Sequence, residues 1–289
     1  MDTRYQQLDL TEKSMSNREF ERLSEFIRAN SGIKMPPGKK VMLEARLKKR
    51  LRSIGVATYH EYCEYLFKTE GGEKELVYML EAVTTHKTDF FREPQHFEYV
   101  MGTILPEYLQ TTGDERGAVF RAWSAGCSSG EEPYTLAMVL SEFASNNRGF
   151  RFSLLATDLS NQILDKARRG IYDEERVITV PLSLKQKYLL RSKDPRKELV
   201  RIVPELRTMI RFEQMNLMDE QFAIPEPLDV IFCRNVIIYF DRATQEQLIQ
   251  RFCRHLRPNG YLILGHSESV HGLDVPLKRV TSTVHRKVG

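Results

Sequence analysis

The chain has 289 residues, enough for one large domain or for one domain with a smaller companion. Apolar residues make up 41% and charged residues 28%, with 43 basic against 39 acidic side chains; this mixture excludes global disorder, and no run of 18 apolar residues offers a membrane span. The net charge of +4 decides little by itself. Between positions 34 and 52, however, Lys34, Lys39, Lys40, Arg46, Lys48, Lys49, Arg50 and Arg52 stand against Glu44 alone, so an acidic partner is expected there.

Met1 to Ser16 is polar and lacks the apolar core of a signal peptide. Residues 17 to 80 carry only helical periodicity. Asn17 is the expected cap of a helix with Phe20, Leu23, Phe26 and Ile27 on one face, ended by Ser31-Gly32. Pro36-Pro37-Gly38 is a turn. Leu43, Leu47, Leu51 and Ile54 then mark a second helix whose remaining circumference is basic, and Arg46, Lys49 and Arg50 are expected to be exposed beside its apolar face. A third helix carries Tyr59, Tyr62, Leu66 and Phe67, and a fourth Leu76, Met79, Leu80 and Val83. This gives a helical N-terminal domain over 1–83 and a linker over 84–94.

From 95 to 289 strand-like runs alternate with helical ones. Strands are expected at 119–124, 152–157, 210–215, 228–233 and 261–264, the last after the turn Pro258-Asn259-Gly260, and helices at 131–143, 160–169 and 243–256. The end of the chain, 279–287, alternates enough for antiparallel edge strands. Such alternation implies an α/β domain with a mostly parallel, Rossmann-like sheet that binds ligands outside the carboxyl ends of its strands. The stretch 172–210 is too long for a strand-to-helix connection and is read as an inserted antiparallel β-subdomain following a short helix. Cys63, Cys127, Cys233 and Cys253 form no CxxC pair, so neither a zinc knuckle nor a redox motif is expected.

The strongest local signal follows the first of these strands. In Trp123-Ser-Ala-Gly-Cys-Ser-Ser-Gly-Glu-Glu-Pro-Tyr134, Gly126 and Gly130 allow a tight turn and close approach of a ligand, Ser128 and Ser129 are candidate caps, and Glu131 and Glu132 sit at the helix mouth. Glycines four apart are not the dinucleotide fingerprint, and two carboxylates there repel a pyrophosphate. They suit a ligand with a cationic end, such as S-adenosylmethionine with its ammonium and sulfonium. The structural alternative is a well-capped turn and nothing more. Asp158, past the second strand, serves equally well as acceptor for a ribose diol or as a helix cap. Asn216 and Leu217, past the third, offer an amide and an apolar face to an adenine. Asn235 and Tyr239, past the fourth, are polar groups at the same crevice, and as isolated residues they fit loop stabilisation as well. In the linker, Arg92 beside Phe90-Phe91 is either a guanidinium fork for a carboxylate or a surface charge next to two anchors. His86 has no second donor at ligand spacing, so no metal is expected.

Taken together, the strings TTHKTDFFREP, WSAGCSSGEEPYT, CRNVIIYFD and GHSE resemble the chemotaxis receptor methyltransferase (CheR) family, and the resemblance runs over nearly the whole chain. It implies a class I methyltransferase domain with a small inserted β-subdomain behind an all-α domain. It further implies transfer of a methyl group from S-adenosyl-L-methionine to receptor glutamates, with S-adenosyl-L-homocysteine as product. By resemblance Glu131 holds the methionine ammonium and Asp158 the ribose. Asn216 and Leu217 line the adenosine, with Gly126, Asn235 and Val236 along the cofactor. Thr88 and Arg92 reach it from the linker, and Arg92 and Tyr239 stand near the transferred methyl. Arg46, Lys49 and Arg50 dock on the acidic helices of methyl-accepting receptors, the membrane is reached only through those receptors, and a cytoplasmic monomer without nucleic-acid partners is expected. His86 stands where many members have asparagine, and the loop 191–197 lacks the glycines of members that tether a receptor's C-terminal peptide, so neither property is assigned here. The rival classes are a small-molecule or nucleic-acid methyltransferase, which needs no linker arginine, and a cofactor-binding module without turnover.

Overall fold

Ser16 rather than Asn17 begins the first helix. Its hydroxyl accepts from the Glu19 N–H at 3.2 Å while the Glu19 carboxylate accepts from the Ser16 N–H at 2.6 Å, a reciprocal capping box. The computed structural model describes residues 14–112, 118–194 and 196–289. The chain divides into two units, Met1–Thr85 and His86–Gly289.

The first unit is all helical: α1 (Asn17–Ser31), α2 (Lys40–Ile54), α3 (Tyr59–Lys68) and α4 (Gly72–Val83). Leu23, Ile27, Leu43, Leu47, Tyr62 and Met79 are fully removed from water, each apolar side chain contributing roughly 2 kcal/mol. The expectation that Arg46, Lys49 and Arg50 are all exposed is corrected here. Arg46 turns back onto the end of α4, where it donates to the carbonyls of Val83 and Thr84 (2.8 Å to the latter) and to Thr85 Oγ1 at 2.9 Å. A guanidinium at a helix C-terminus satisfies carbonyls that have no intrahelical partner. Arg50 makes two bonds, at 2.9 and 2.6 Å, to buried Glu75, which also accepts from the Tyr62 hydroxyl at 2.8 Å. Lys48, Lys49 and Arg52 are the basic side chains of α2 that are exposed. A helical wheel locates a residue on its own helix but not the partner that α4 presents to it.

The second unit begins with α5 (Gln95–Tyr99), which runs through a π-helical stretch, Val100–Ile104, into α6 (Leu105–Thr112). There follow β1 (Phe120–Ala125), α7 (Glu131–Asn146), β2 (Phe152–Asp158), α8 (Asn161–Arg169), β3 (Ile171–Asp173), α9 (Leu182–Tyr188), β4 (Leu189–Arg191), β5 (Leu199–Ile202), α10 (Pro204–Thr208), β6 (Ile210–Gln214), β7 (Leu228–Cys233), α11 (Arg242–His255), β8 (Leu256–Leu264), β9 (Leu277–Arg279) and β10 (Val284–Lys287). The main sheet has the order β6-β2-β1-β7-β8-β10-β9, parallel from β6 to β8, with β10 and β9 added antiparallel. Successive β1 residues face opposite layers. Phe120 and Ala122 join the core under Tyr134 and Leu136, while Trp123 packs on Phe222 and on Phe252 of α11 at 5.3 and 5.2 Å. Helices therefore cover both faces. β3, β5 and β4 form a separate antiparallel sheet. One of its strands precedes the short helix α9, not all of them follow it. The turn expected at Pro258-Asn259-Gly260 is instead an irregularity within β8, where the pairing with β7 shifts and Asn259 takes a φ of 64°. No helix among the described residues is long and apolar enough to cross a membrane.

The Arg50–Glu75–Tyr62 group yields a stability prediction. Glu75→Ala leaves a half-buried guanidinium and a buried hydroxyl without their acceptor. The expected loss in denaturant titration is on the order of 3 kcal/mol, whereas Lys49→Ala should stay within about 0.5 kcal/mol.

Candidate active site

The parallel strands end on one side in a set of loops that hold most of the sequence-predicted residues. The turn after β1 depends on left-handed backbone at Gly126 (φ 79°), Ser128 (φ 51°) and Gly130 (φ 98°). A Cβ at Gly126 would lie 2.6 Å from Val236 Cγ2, so the missing side chain is what allows the turns after β1 and β7 to close together. Neither serine caps α7. The cap is Gly130, without a side-chain bond. Ser128 Oγ donates to the His86 carbonyl at 3.0 Å, and Ser129 Oγ to Glu131 Oε2 at 2.6 Å.

Asp158 ends β2. Its Oδ2 accepts from the Ser128 N–H at 2.9 Å and its Oδ1 from the Ser160 N–H at 3.0 Å. Ser160 is itself the cap of α8, its hydroxyl accepting from Ile163. Burial pushes the Asp158 carboxyl above its ordinary value, against the opposing pull of these amides. The chain past β6 lies beside it: the Met215 N–H donates to the Asp158 carbonyl at 3.0 Å, Leu217 is buried, and Asn216 Oδ1 accepts from Met218 at 3.0 Å.

Glu131 is buried and already engaged. Its Oε1 accepts from Arg176 at 2.5 Å, and the same guanidinium binds the Thr88 carbonyl at 2.5 Å and Asp89 Oδ1 at 3.2 Å. Arg176 lies in the expected insertion and was not anticipated. The carboxylate expected to hold the methionine ammonium is thus half of an anion–cation pair, and Thr88 meets Arg176 through its carbonyl.

The turn after β7 is held by another residue without a sequence assignment, Glu268. Its Oε1 accepts from the N–H groups of Val236 and Ile237, both at 2.8 Å, and its Oε2 from Asn235 at 2.8 Å and Gly265 at 2.6 Å. One buried carboxylate thereby satisfies four amides and supports Asn235 in a left-handed conformation, φ 59°. Gly265 has no room for a side chain: a Cβ would lie 2.7 Å from Asn235 Nδ2 and 2.9 Å from Glu268 Oε2. Tyr239 closes the following turn, its N–H donating to the Val236 carbonyl at 3.2 Å. The motif GHSE was the available signal for Glu268, but a carboxylate at that spacing has no local partner to indicate its role.

Arg92 is half-exposed, and its guanidinium donates to the Lys87 carbonyl at 3.0 Å. Behind it, the buried Arg234 binds Glu132 Oε2 at 3.1 Å, Glu93 Oε2 at 3.2 Å and the Arg92 carbonyl. Glu132 also accepts from Ser124 Oγ at 2.7 Å. The second carboxylate at the helix mouth thus serves an internal cation. Among the described residues Glu93, His96 and His266 bring donor atoms within 4.8 Å of one another. His96 Nε2 lies 2.7 Å from Thr283 Oγ1, and burial beside Arg234 pushes the His96 imidazole down to about 4, so it is neutral at pH 7. A divalent ion in this group would face the Arg234 guanidinium. Arg46, Lys49 and Arg50 belong to the helical unit.

The family model for the CheR methyltransferase SAM binding domain matches residues 86–286, and that for the CheR methyltransferase all-alpha domain matches 18–84. The chain belongs to the CheR methyltransferase family. Among its relatives, a chemotaxis protein methyltransferase of Borreliella burgdorferi is 41% identical over 255 residues, covering 88% of this chain and 89% of the relative. That of Escherichia coli is 36% identical over 269 residues, 92% and 90% of the two chains. Chemotaxis protein methyltransferase 2 of Pseudomonas aeruginosa is 36% identical over 267 residues, 92% of each. The unit 86–289 is accordingly a SAM-binding methyltransferase domain, and the loops above lie where its fold class binds ligands. The donor set fits that cofactor. A buried carboxylate suits a diol, an anion–cation pair suits a zwitterionic amino-acid end, and Leu217 and Val236 are apolar.

The four-amide hold of Glu268 makes Glu268→Gln informative. An amide nitrogen in place of one oxygen cannot accept from N–H groups, so the turn carrying Asn235 and Val236 loosens. Calorimetry with S-adenosylhomocysteine is expected to show about tenfold weaker binding, roughly 1.4 kcal/mol.

Proposed function

We propose that the chain transfers a methyl group from S-adenosylmethionine to glutamate side-chain carboxylates of chemotaxis receptors, leaving glutamyl methyl esters and S-adenosylhomocysteine. The observation that carries this reading is the convergence of Asp158, the Gly126–Gly130 turn and the Glu131–Arg176 pair at the carboxyl ends of β1 and β2, in a chain whose relatives are named chemotaxis protein methyltransferases. In this reading Asp158 accepts from the ribose hydroxyls. Glu131 and Arg176 separate slightly to take the ammonium and the carboxylate of the methionine end. Asn216 and Leu217 hold the adenine, and Gly126, Thr88, Asn235 and Val236 line the cofactor between.

When bound, the cofactor supplies an electrophilic methyl on a sulfonium. A glutamate of pKa about 4.3 is ionised at neutral pH, so no general base is required. The protein's contribution is then positioning and exclusion of water. Arg92 engages one carboxylate oxygen of the acceptor while the other attacks, and Tyr239 borders the reacting centre. The half-exposed position of Arg92, at the end of a segment joined to α7 through the Phe91 N–H and Thr135 Oγ1 (3.1 Å), supports this role over that of a surface charge.

The protein is read as a cytoplasmic monomer that reaches membranes only through receptors, with no nucleic-acid partner. Docking on acidic receptor helices falls to Lys49 with its exposed neighbours Lys48 and Arg52, while Arg46 and Arg50 shape the surface from within.

Receptor-rich membranes from a chemotactic bacterium, labelled methyl donor and alkaline release of methanol test the reaction directly. Arg92→Ala should lower turnover at least a hundredfold, far more than it lowers cofactor affinity, and Asp158→Ala should weaken the cofactor tenfold or more, about 1.4 kcal/mol. Label that resists alkali would mean a different acceptor. The double change Lys48→Glu, Lys49→Glu should reduce receptor methylation and its salt sensitivity without touching cofactor binding, since salt screens such a dock over about 8 Å. Equal methylation across a salt series would remove α2 from recognition.

A further inference from the structure

We propose that Arg234 is a positioning residue for methyl transfer: its buried guanidinium locks the backbone of residues 91–93 so that the Arg92 side chain is presented in a single place. The inference rests on the role given to Arg92 above and extends it to a residue that touches neither cofactor nor acceptor.

Arg92 sits between two residues in unusual conformations. Phe91 has a φ of 51° and Glu93 a φ of 55°, left-handed backbone that side chains of this size rarely adopt. Such a segment keeps its shape only if its surroundings impose it. The flanks are held: Phe90 is fully buried, its carbonyl accepts from Thr179 Oγ1 at 2.7 Å, and the Phe91 N–H donates to Thr135 Oγ1 at 3.1 Å. The centre is held by Arg234. One terminal nitrogen bonds Glu132 Oε2 at 3.1 Å; the other bonds the Arg92 carbonyl and lies 3.2 Å from Glu93 Oε2. The guanidinium carbon lies 5.5 Å from the centre of the Phe97 ring. Since the bonded carbonyl belongs to Arg92 itself, rotating the peptide after Arg92 breaks that bond and moves the Glu93 carboxylate away from its cation.

The charges give the lock its rigidity. Glu132 is fixed at the start of α7, where burial pushes its carboxyl up against the opposing pull of the Arg234 guanidinium. Arg234 follows β7 directly and cannot drift relative to the sheet. One residue therefore ties α7, the end of β7 and the segment around Arg92 together. Lysine cannot replace it, because a single ammonium on a flexible stem does not reach two carboxylates and a carbonyl in a planar fork.

The test is a double-mutant cycle on the full chain, with receptor-rich membranes as acceptor. Arg234→Lys should retain cofactor affinity within threefold, retain KM for the cofactor, and lower kcat at least tenfold. In the Arg92→Ala background the same change should lower the residual turnover no further, because a lock has nothing left to present. Wild-type kcat in Arg234→Lys, or independent losses that multiply in the double variant, overturns the proposal. If Arg234→Lys loses cofactor binding through misfolding, Glu93→Gln carries the same test, as it removes one charge of the lock and keeps its size. Its kcat should fall and the fall should vanish in the Arg92→Ala background, and an unchanged kcat overturns the proposal. Full turnover in Arg92→Ala alone would instead defeat the role of Arg92, and a dead Arg92→Ala beside a fully active Arg234→Lys defeats only the present inference.

Discussion

A guanidinium buried under the loops of a parallel sheet needs partners of opposite charge, and the two terminal nitrogens of Arg234 meet Glu132, Glu93 and the Arg92 carbonyl. Desolvating a cation costs several kcal/mol, and so does desolvating each carboxylate; only their mutual geometry offsets the three penalties. The arrangement therefore exists complete or not at all. Its three anchor points are the mouth of α7, the end of β7 and the segment that reaches them from residue 86 onward. The remaining contacts of the site are arranged around that fixed frame. Ser128 Oγ holds the His86 carbonyl, Arg176 holds the Thr88 carbonyl, and Glu268 gathers the amides that follow Arg234.

Carboxylates do different work here according to what surrounds them. Glu131 and Glu132 are adjacent in sequence and look interchangeable at a helix mouth. Glu132 faces inward to a buried cation, while Glu131 faces a cation that is itself part exposed and can be displaced. Asp158 accepts from the backbone amides of Ser128 and Ser160, with His86 also drawing its carboxyl down, and Glu268 accepts from four amides. Glu268 is structural, Asp158 is polarised by fixed dipoles, and Glu131 belongs to an exchangeable pair.

What could be read from the sequence follows the range of the interactions. Strands and helices of the second unit are visible because burial repeats every two or 3.6 residues, and the glycine turn after β1 is visible because left-handed backbone calls for particular residues. Asp158, Asn216 and Asn235 could be placed because strand ends in this fold class face one side. The partners of these groups could not. Arg176 is 45 residues from Glu131, and Arg234 is 102 from Glu132 and 142 from Arg92, separations that leave no periodic trace. For the same reason Arg46 and Arg50 read as a solvated basic face until α4 supplied the carbonyls and the carboxylate that bind them. The serines at the mouth of α7 fit every local rule for capping and were drawn elsewhere by the His86 carbonyl and the Glu131 carboxylate.

Gly265 shows how an uncharged position can control a charged one. Its N–H lies 2.6 Å from Glu268 Oε2, and the space its side chain would fill is already taken by that oxygen and by the Asn235 amide. A methyl group there would enter between an anion and its donors. The carboxylate would have to recede, its amides would be left bare in a water-poor crevice, and the potential at the turn would change although no ionisable group had been added or removed. Such a glycine acts as an electrical spacer of zero width. Tolerance at this position is thus set by charge separation rather than by the backbone freedom that usually explains a glycine in a turn.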